Sequence, residues 1–287
     1  MPTSTVPYFP QRTVSGPDGE QVPVSCIKSI TLEPKATTGI NASTTSNTSA
    51  TSATSTTTSP PCSLILNLTN LVAYFPFDNG SILDSGPNSL TSTITGQTQI
   101  TGERNQGFSF IGTTTSYFQV SGLTSLGTVN LPFSIALWIK PTNLSGSFVH
   151  VSRNAAGDGW CLPFIGFTSS NLVATQVWDG STAQYTLGPL LTRNTWTHVV
   201  QTFSVTNGLK LYVSGSLYNT TSGITQYSAS GSSMYMSAGG TAQVISNPTS
   251  CTSTGVLGLN SYSGGVDELR IYSRELTAND VCALFYY

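Results

Sequence analysis

The chemistry open to this chain is bounded by twelve carboxylates and two histidines. Two places carry carboxylates at a spacing that could hold something. Asp78-Asn79-Gly80 through Asp84-Ser85-Gly86 is a loop of acidic, amide and small residues, and Asp267-Glu268 is an adjacent pair near the C-terminus. A hard cation such as calcium wants six to eight oxygens from carboxylates, Asn side chains and inward-turned carbonyls, and the first loop has that chemistry. Asp, Asn and Ser are equally ordinary turn formers, so the bland reading of the same loop stands beside the metal.

Acid–base chemistry has less footing. Glycoside hydrolysis needs two carboxyls flanking the scissile bond, about 5 to 10 Å apart. Asp267 and Glu268 are neighbours on an extended segment, where successive side chains point to opposite faces. There is no G-x-S-x-G elbow, no H-E-x-x-H and no P-loop. A catalytic histidine would have to be His150 or His198. Both fall in predicted strands, where an imidazole bonded to a neighbouring side chain or carbonyl is the alternative. The expectation is a chain without enzymatic activity.

The elements that must position these groups are strands. From Gly264 to Tyr272, Leu269 and Ile271 share one face while Glu268, Arg270 and Tyr272 share the other, the period-2 signature of a half-buried strand. Thr277 then reads as the N-cap of a short helix with Asp280 at its third position, and Leu276 as a staple onto Val281. Upstream, Phe133, Ile135, Leu137 and Ile139 alternate with Ser134, Ala136, Trp138 and Lys140. Trp196–Phe203 and Leu209–Val213 also read as strands, and Val213-Ser214-Gly215-Ser216 offers a tight turn between strands. With Gly, Asn and Ser punctuation and no long helical period, the fold expected is all-β. It is a two-sheet antiparallel jelly-roll sandwich of about a dozen strands with one short C-terminal helix.

The closing segment Gly264-Gly265-Val266-Asp267-Glu268-Leu269-Arg270-Ile271-Tyr272-Ser273-Arg274-Glu275-Leu276-Thr277 resembles the last strand of the laminin-G-like, concanavalin A-like lectin/glucanase jelly rolls. Tyr74-Phe75-Pro76-Phe77-Asp78-Asn79-Gly80 with Asp84-Ser85-Gly86 is similar to their opening segment. Gly107-Phe108-Ser109-Phe110, Phe133–Pro141, Asn194–Val200 and Leu209–Gly215 resemble internal strands, in the right order, over roughly residues 63 to 287. The resemblance implies a calcium ion where the opening loop meets the closing strand, with Asp78, Asp84 and Asp267 as ligands and Asn79 and Glu268 as weaker candidates. Glucanases of this fold place their acids as E-x-D-x-x-E on one strand, a spacing absent here. In a jelly roll the first and last strands are neighbours, so the resemblance pairs Cys62 with Cys282. Cys161 and Cys251 form the second candidate pair, and Cys26 is left over. Five reduced, buried thiols are the alternative.

Composition limits partners. Charged residues make up only 8% of the chain and the net charge is −2, without a Lys/Arg run, so the electrostatic footprint for nucleic acid or a polybasic membrane contact is missing. No apolar run reaches bilayer length. Residues 37–61 are Ser/Thr-rich, uncharged and end in Ser59-Pro60-Pro61, which reads as a disordered mucin-like linker. Residues 1–36 are Pro-rich and read as a poorly ordered remnant of an upstream region; residues 62–287 form the expected jelly-roll domain. Sequons stand at Asn41, Asn47, Asn67, Asn79, Asn143 and Asn219. With the stalk and the cysteines they point to an extracellular glycoprotein or an ectodomain, although the N-terminus lacks a signal peptide. The chain is therefore expected to be a fragment.

Four tryptophans and several tyrosines could stack on a sugar at an exposed rim. Trp138 and Trp196 lie mid-strand and read as core. Trp160 and Trp178, beside turns, are the binding candidates, with capping of the sandwich edge as the alternative. The functional expectation is a non-catalytic extracellular recognition or adhesion module for a glycan or protein ligand, stiffened by calcium. A structural spacer without ligand and a glycoside hydrolase-like enzyme with an unrecognised site remain the other two readings.

Overall fold

The computed structural model describes residues 13–15, 21–23, 62, 65–240, 251 and 255–287, and the chain divides into two units, residues 1–61 with Tyr287 and Cys62–Tyr286. The linker 37–61, Cys26, Asn41 and Asn47 lie outside the described residues. In the first unit β1 (Thr13–Ser15) and β2 (Gln21–Pro23) pair antiparallel, with Val14 opposite Val22.

The second unit is a two-sheet antiparallel sandwich. Its strands begin with β3 (Leu71–Phe75), β4 (Ser92–Thr95), β5 (Gln97–Thr101), β6 (Gln106–Ile111) and β7 (Tyr117–Leu123). They continue with β8 (Phe133–Pro141), β9 (Ser147–Ser152), β10 (Cys161–Phe167), β11 (Leu172–Trp178) and β12 (Ala183–Leu190). The last are β13 (Thr197–Ser204), β14 (Gly208–Val213), β15 (Ser216–Thr221), β16 (Met234–Ala238) and β17 (Ser263–Tyr272), followed by the helix α1 (Ala278–Tyr286). One sheet runs β12-β11-β10-β9-β16-β7-β4 and the other β15-β14-β13-β8-β17-β6-β5, with β3 also paired to β17.

The alternation read in β8 is realised. Phe133, Ile135, Leu137 and Ile139 are fully buried between the sheets, with Val149 and Val151 of β9, Phe164 of β10 and Val199 and Phe203 of β13 in the same core. Each such side chain contributes about 1.5–3 kcal/mol when buried. The β14–β15 turn places Ser214 and Gly215 at φ 49° and 80°, the pair of positive angles that matches hairpin twist.

The other face of the eight-stranded sheet carries a second, smaller core beneath α1. Ala136, Val200, Tyr212 and Tyr272 meet Leu276, Val281 and Leu284 there. The helix starts as its sequence requires: the Asp280 N–H donates to Thr277 Oγ1 at 3.2 Å and the Thr277 N–H to Asp280 Oδ2 at 2.8 Å, a reciprocal capping box. Arg274 ties this end to the start of the domain through Asp280 at 2.7 Å and the carbonyls of Thr69 and Asn67. A disulfide joins Cys62 to Cys282, with Cα atoms 6.1 Å apart, and a second joins Cys161 to Cys251.

Trp138 is buried, but on the helix side of the sheet rather than between the layers, stacked on Phe285 at 5.4 Å. No helix among the described residues is long and apolar enough to cross a membrane.

Candidate functional site

One position in β17 breaks the strand's regularity. From Ser263 to Val266 its neighbour is β6, and from Leu269 to Tyr272 it is β3, so the sheet forks between them. Asp267 and Glu268 sit at the fork. Against β8, Asp267 faces Trp138 and Arg270 faces Ala136, which leaves two residues opposite Leu137 alone. This is a β-bulge, and Glu268 takes the left-handed conformation at φ 54°.

The bulge corrects the sequence expectation that the two carboxylates point to opposite faces. Val266 and Leu269 both face the inter-sheet core with two residues between them instead of one, so Asp267 and Glu268 both turn away from that core. They meet different partners. Glu268 pairs with Arg270 at 2.8 Å and accepts the Tyr74 hydroxyl at 3.0 Å, while Arg270 stacks 3.9 Å from the Tyr74 ring centroid. Asp267, 0% exposed, accepts the N–H of Arg104 at 3.0 Å and of Glu268 at 2.9 Å.

Asp78 lies at the far side of the same opening, on a short turn after β3, with Asn79 at φ 55°. Its carboxylate accepts the Asn105 side-chain amide at 3.0 Å and the Gln106 N–H at 3.3 Å. The Asn79 N–H in turn donates to Gln106 Oε1 at 3.0 Å. The β5–β6 turn, Gly102 to Asn105, therefore sits between the two carboxylates and feeds both. A Cβ at Gly102 would stand 2.5 Å from both the Arg104 carbonyl oxygen and Asp267 Oδ2, so a carbonyl and a carboxylate converge where this glycine leaves space.

Burial pushes the Asp267 carboxyl up, and the nearby Glu268 and Asp78 charges push the same way. The Arg104 and Glu268 N–H groups pull against them, and the outcome is a pKa of about 8. This is the signature of negative charge short of a positive partner.

Asp84 is placed elsewhere in this loop system. Its oxygens accept the N–H groups of Tyr74, Gly86 and Leu90 at 2.8–2.9 Å, so it closes the loop after β3 and holds the backbone there. The structure thus brings Asp78, Asn79 and Asp267 around one turn, commits Glu268 to Arg270, and gives Asp84 a structural task. Sequence reasoning missed the Gly102-Glu103-Arg104-Asn105 turn. Its signal was a charged Gly…Asn turn in a chain with few charges.

Among the described residues, one group of three metal-capable side chains converges: His150, Cys161 and Cys251, with ligand atoms within 4.8 Å of one another. Both sulfurs are spent in the disulfide, and the His150 ring bonds the Gly157 carbonyl at 2.8 Å. Burial pushes the His150 pKa down to about 4. Burial first, then the Arg270 and Arg104 charges, takes His198 down to about 3. Both rings are neutral strand residues at pH 7.

Trp160 and Trp178 are half-buried and packed against the core, Trp160 edge-on to Tyr227 at 6.3 Å. The described sequons Asn67, Asn79, Asn143 and Asn219 are exposed. The Asn219 amide, however, donates to the Leu187 carbonyl at 3.0 Å, linking β15 to β12.

Two packed antiparallel sheets with polar loops gathered around the opening strand define a lectin-type sandwich. The sequence of residues 112–282 matches the family described as the Concanavalin A-like lectin/glucanases superfamily, and the chain belongs to it. Solved structures share the architecture. The botulinum neurotoxin serotype G binding domain is 16% identical with a TM-score of 0.54, the match covering 76% of this chain and 51% of that one. The binding domain of Paraclostridial Mosquitocidal Protein 1 is 17% identical with a TM-score of 0.55, covering 76% and 52%. The botulinum neurotoxin DC binding domain, solved in complex with rat synaptotagmin II, is 14% identical with a TM-score of 0.53, covering 76% and 51%. The chain thus spans about half the length of these solved chains. No curated protein matches it.

Proposed function

We propose that this chain is a non-catalytic extracellular recognition module that binds a glycan or protein ligand through its loop rim and is stiffened by calcium at the fork. The observation that carries the calcium is the pair Asp78 and Asp267 on either side of one turn, the second buried with its pKa raised. Their donor set fits a hard cation: two carboxylates, the Arg104 carbonyl over Gly102, and the Asn105 side-chain oxygen once its amide is turned over. Asp84 is left out because it holds the Tyr74, Gly86 and Leu90 N–H groups elsewhere in the loop, and Glu268 because its charge is neutralised by Arg270. Calcium would supply the missing positive charge and join the opening loop, the β5–β6 turn and β17.

Recognition is supported by the lectin superfamily and by what similar folds do. One neighbour carries the description that cell entry of botulinum neurotoxin type C depends on interaction with two ganglioside molecules, and another is a binding domain in complex with synaptotagmin II. Two disulfides suit an oxidising, extracellular setting. The acids at the fork are buried, Glu268 in an ion pair with Arg270 and Asp267 on two backbone N–H groups, which suits binding better than hydrolysis.

A glycan array probed with the full chain, with calcium and then with EDTA, tests the reading. Binding that weakens with EDTA supports a calcium-stiffened rim. Silence against glycans together with no calcium-dependent binding to cell-surface protein would leave a spacer instead.

A further inference from the structure

A separate concavity lies where the β11–β12 turn faces the segment that follows β15. It holds about 200 Å³ and is lined by Asp179, Ser181, Gln184, Ser222, Ile224 and Gln226, together with Gly223 and Thr225. At roughly 30 Å³ per water that is six or seven water volumes, the scale of one sugar ring and below that of a drug-sized pocket. Its lining is mainly polar and contains no Lys, Arg or His.

Both walls are held in place. The Ser228 N–H donates to the Trp178 carbonyl at 2.8 Å, which ties the segment after β15 to the end of β11. Asp179 Oδ1 accepts the N–H groups of Ser181 and Thr182 at 2.8 and 2.7 Å and the Ser181 hydroxyl at 2.9 Å. Its Oδ2 accepts Gln184 Nε2 at 2.8 Å. Gln184 is thereby fixed with its carbonyl oxygen left over, and Gln226 stands opposite, its Nε2 3.3 Å from where a Cβ on Gly180 would be. Slight burial pushes the Asp179 carboxyl up, but the donors from Thr182, Ser181 and Gln184 outweigh it and hold the group ionised, well below the usual carboxylate range.

We propose that this cavity is the rim subsite for one uncharged sugar residue and that it discriminates against acidic sugars. Amide and hydroxyl side chains offer both donors and acceptors, as vicinal sugar hydroxyls require. The single charge in the lining is negative and has no cation within the lining to offset it, so a ligand carboxylate entering here meets like charge. The inference rests on the glycan reading of the rim and deepens it by naming the sugar class and the place.

The test uses the full chain in calcium against matched glycan pairs that differ only by a terminal sialic acid. The expected result is binding of the uncharged member at least tenfold tighter than its sialylated counterpart. In Asp179→Asn, which keeps the turn's acceptor oxygen, that gap should close to within about threefold. Gln226→Ala, a change at an exposed position, should weaken the uncharged glycan about tenfold while leaving thermal stability unchanged. Equal binding of both members, or no effect of Gln226→Ala on a glycan that does bind, would overturn the subsite and leave the glycan reading intact. Failure to bind any glycan would overturn both.

Discussion

Asp78 and Asp267 are anchored by consecutive residues of one turn: Asn105 donates its side-chain amide to the first at 3.0 Å, and Arg104 donates its N–H to the second at 3.0 Å. The opening and closing segments of the domain therefore meet across the β5–β6 turn. The fork in β17 creates the opening they share, because neither β6 nor β3 pairs with Asp267 or Glu268.

The charge state of Asp267 sets a pH dependence. The free carboxyl titrates near its ordinary 3.8, and the folded one at about 8. Between these values the folded chain keeps a proton that the unfolded chain has lost. This contribution to stability is therefore full below about pH 4, declines as pH rises, and is gone above about pH 8. In EDTA the melting temperature should fall between pH 5 and 8, and Asp267→Asn should flatten that slope. An equal slope in the variant would assign the dependence to another group.

Glu268 pairs with a guanidinium that is only 3% exposed. Glu268→Gln leaves the Arg270 charge buried without its partner, and such losses cost about 3–5 kcal/mol. Urea denaturation should show this drop. Any polysaccharide turnover by the wild type that this variant abolished would instead speak for an enzyme.

The Cys62–Cys282 bridge spans 220 residues of sequence. The chain-entropy treatment gives about 5 kcal/mol for a loop of this size as a ceiling, with measured bridges commonly at 2–5 kcal/mol. Cys62→Ala with Cys282→Ala should lower stability within that range and loosen α1 first, seen as faster amide exchange over Val281 and Leu284. Unchanged exchange there would mean that the helix is held by Leu276, Val281 and the Arg274 contacts alone.

Much of the fold was legible because it depends on local period and caps. The alternation of β8, the Thr277–Asp280 capping box and the Ser214-Gly215 turn all appear where the residues place them. Both cysteine pairs also appear as expected. The bulge at Glu268 was not legible. A period-2 reading has no means of inserting an extra residue, and the cause, a change of neighbour from β6 to β3, is a long-range event. For the same reason the structural task of Asp84 was hidden: its acidic side chain and loop setting are visible in the sequence, but the three backbone N–H groups it holds are not.

Calcium bound between Asp78 and Asp267 should show itself in the thermal stability of the chain. With a dissociation constant on the order of 10⁻⁴ to 10⁻³ M, 10 mM calcium would stabilise the chain by about 1.4–2.7 kcal/mol, or roughly 3–10 °C for a domain of this size. The wild type should show this rise, Asp84→Ala should keep it on a lower baseline, and Asp78→Ala and Asp267→Asn should each abolish it. A wild type indifferent to calcium, or a rise that survives loss of both Asp78 and Asp267, would mean that no calcium ion joins these two carboxylates.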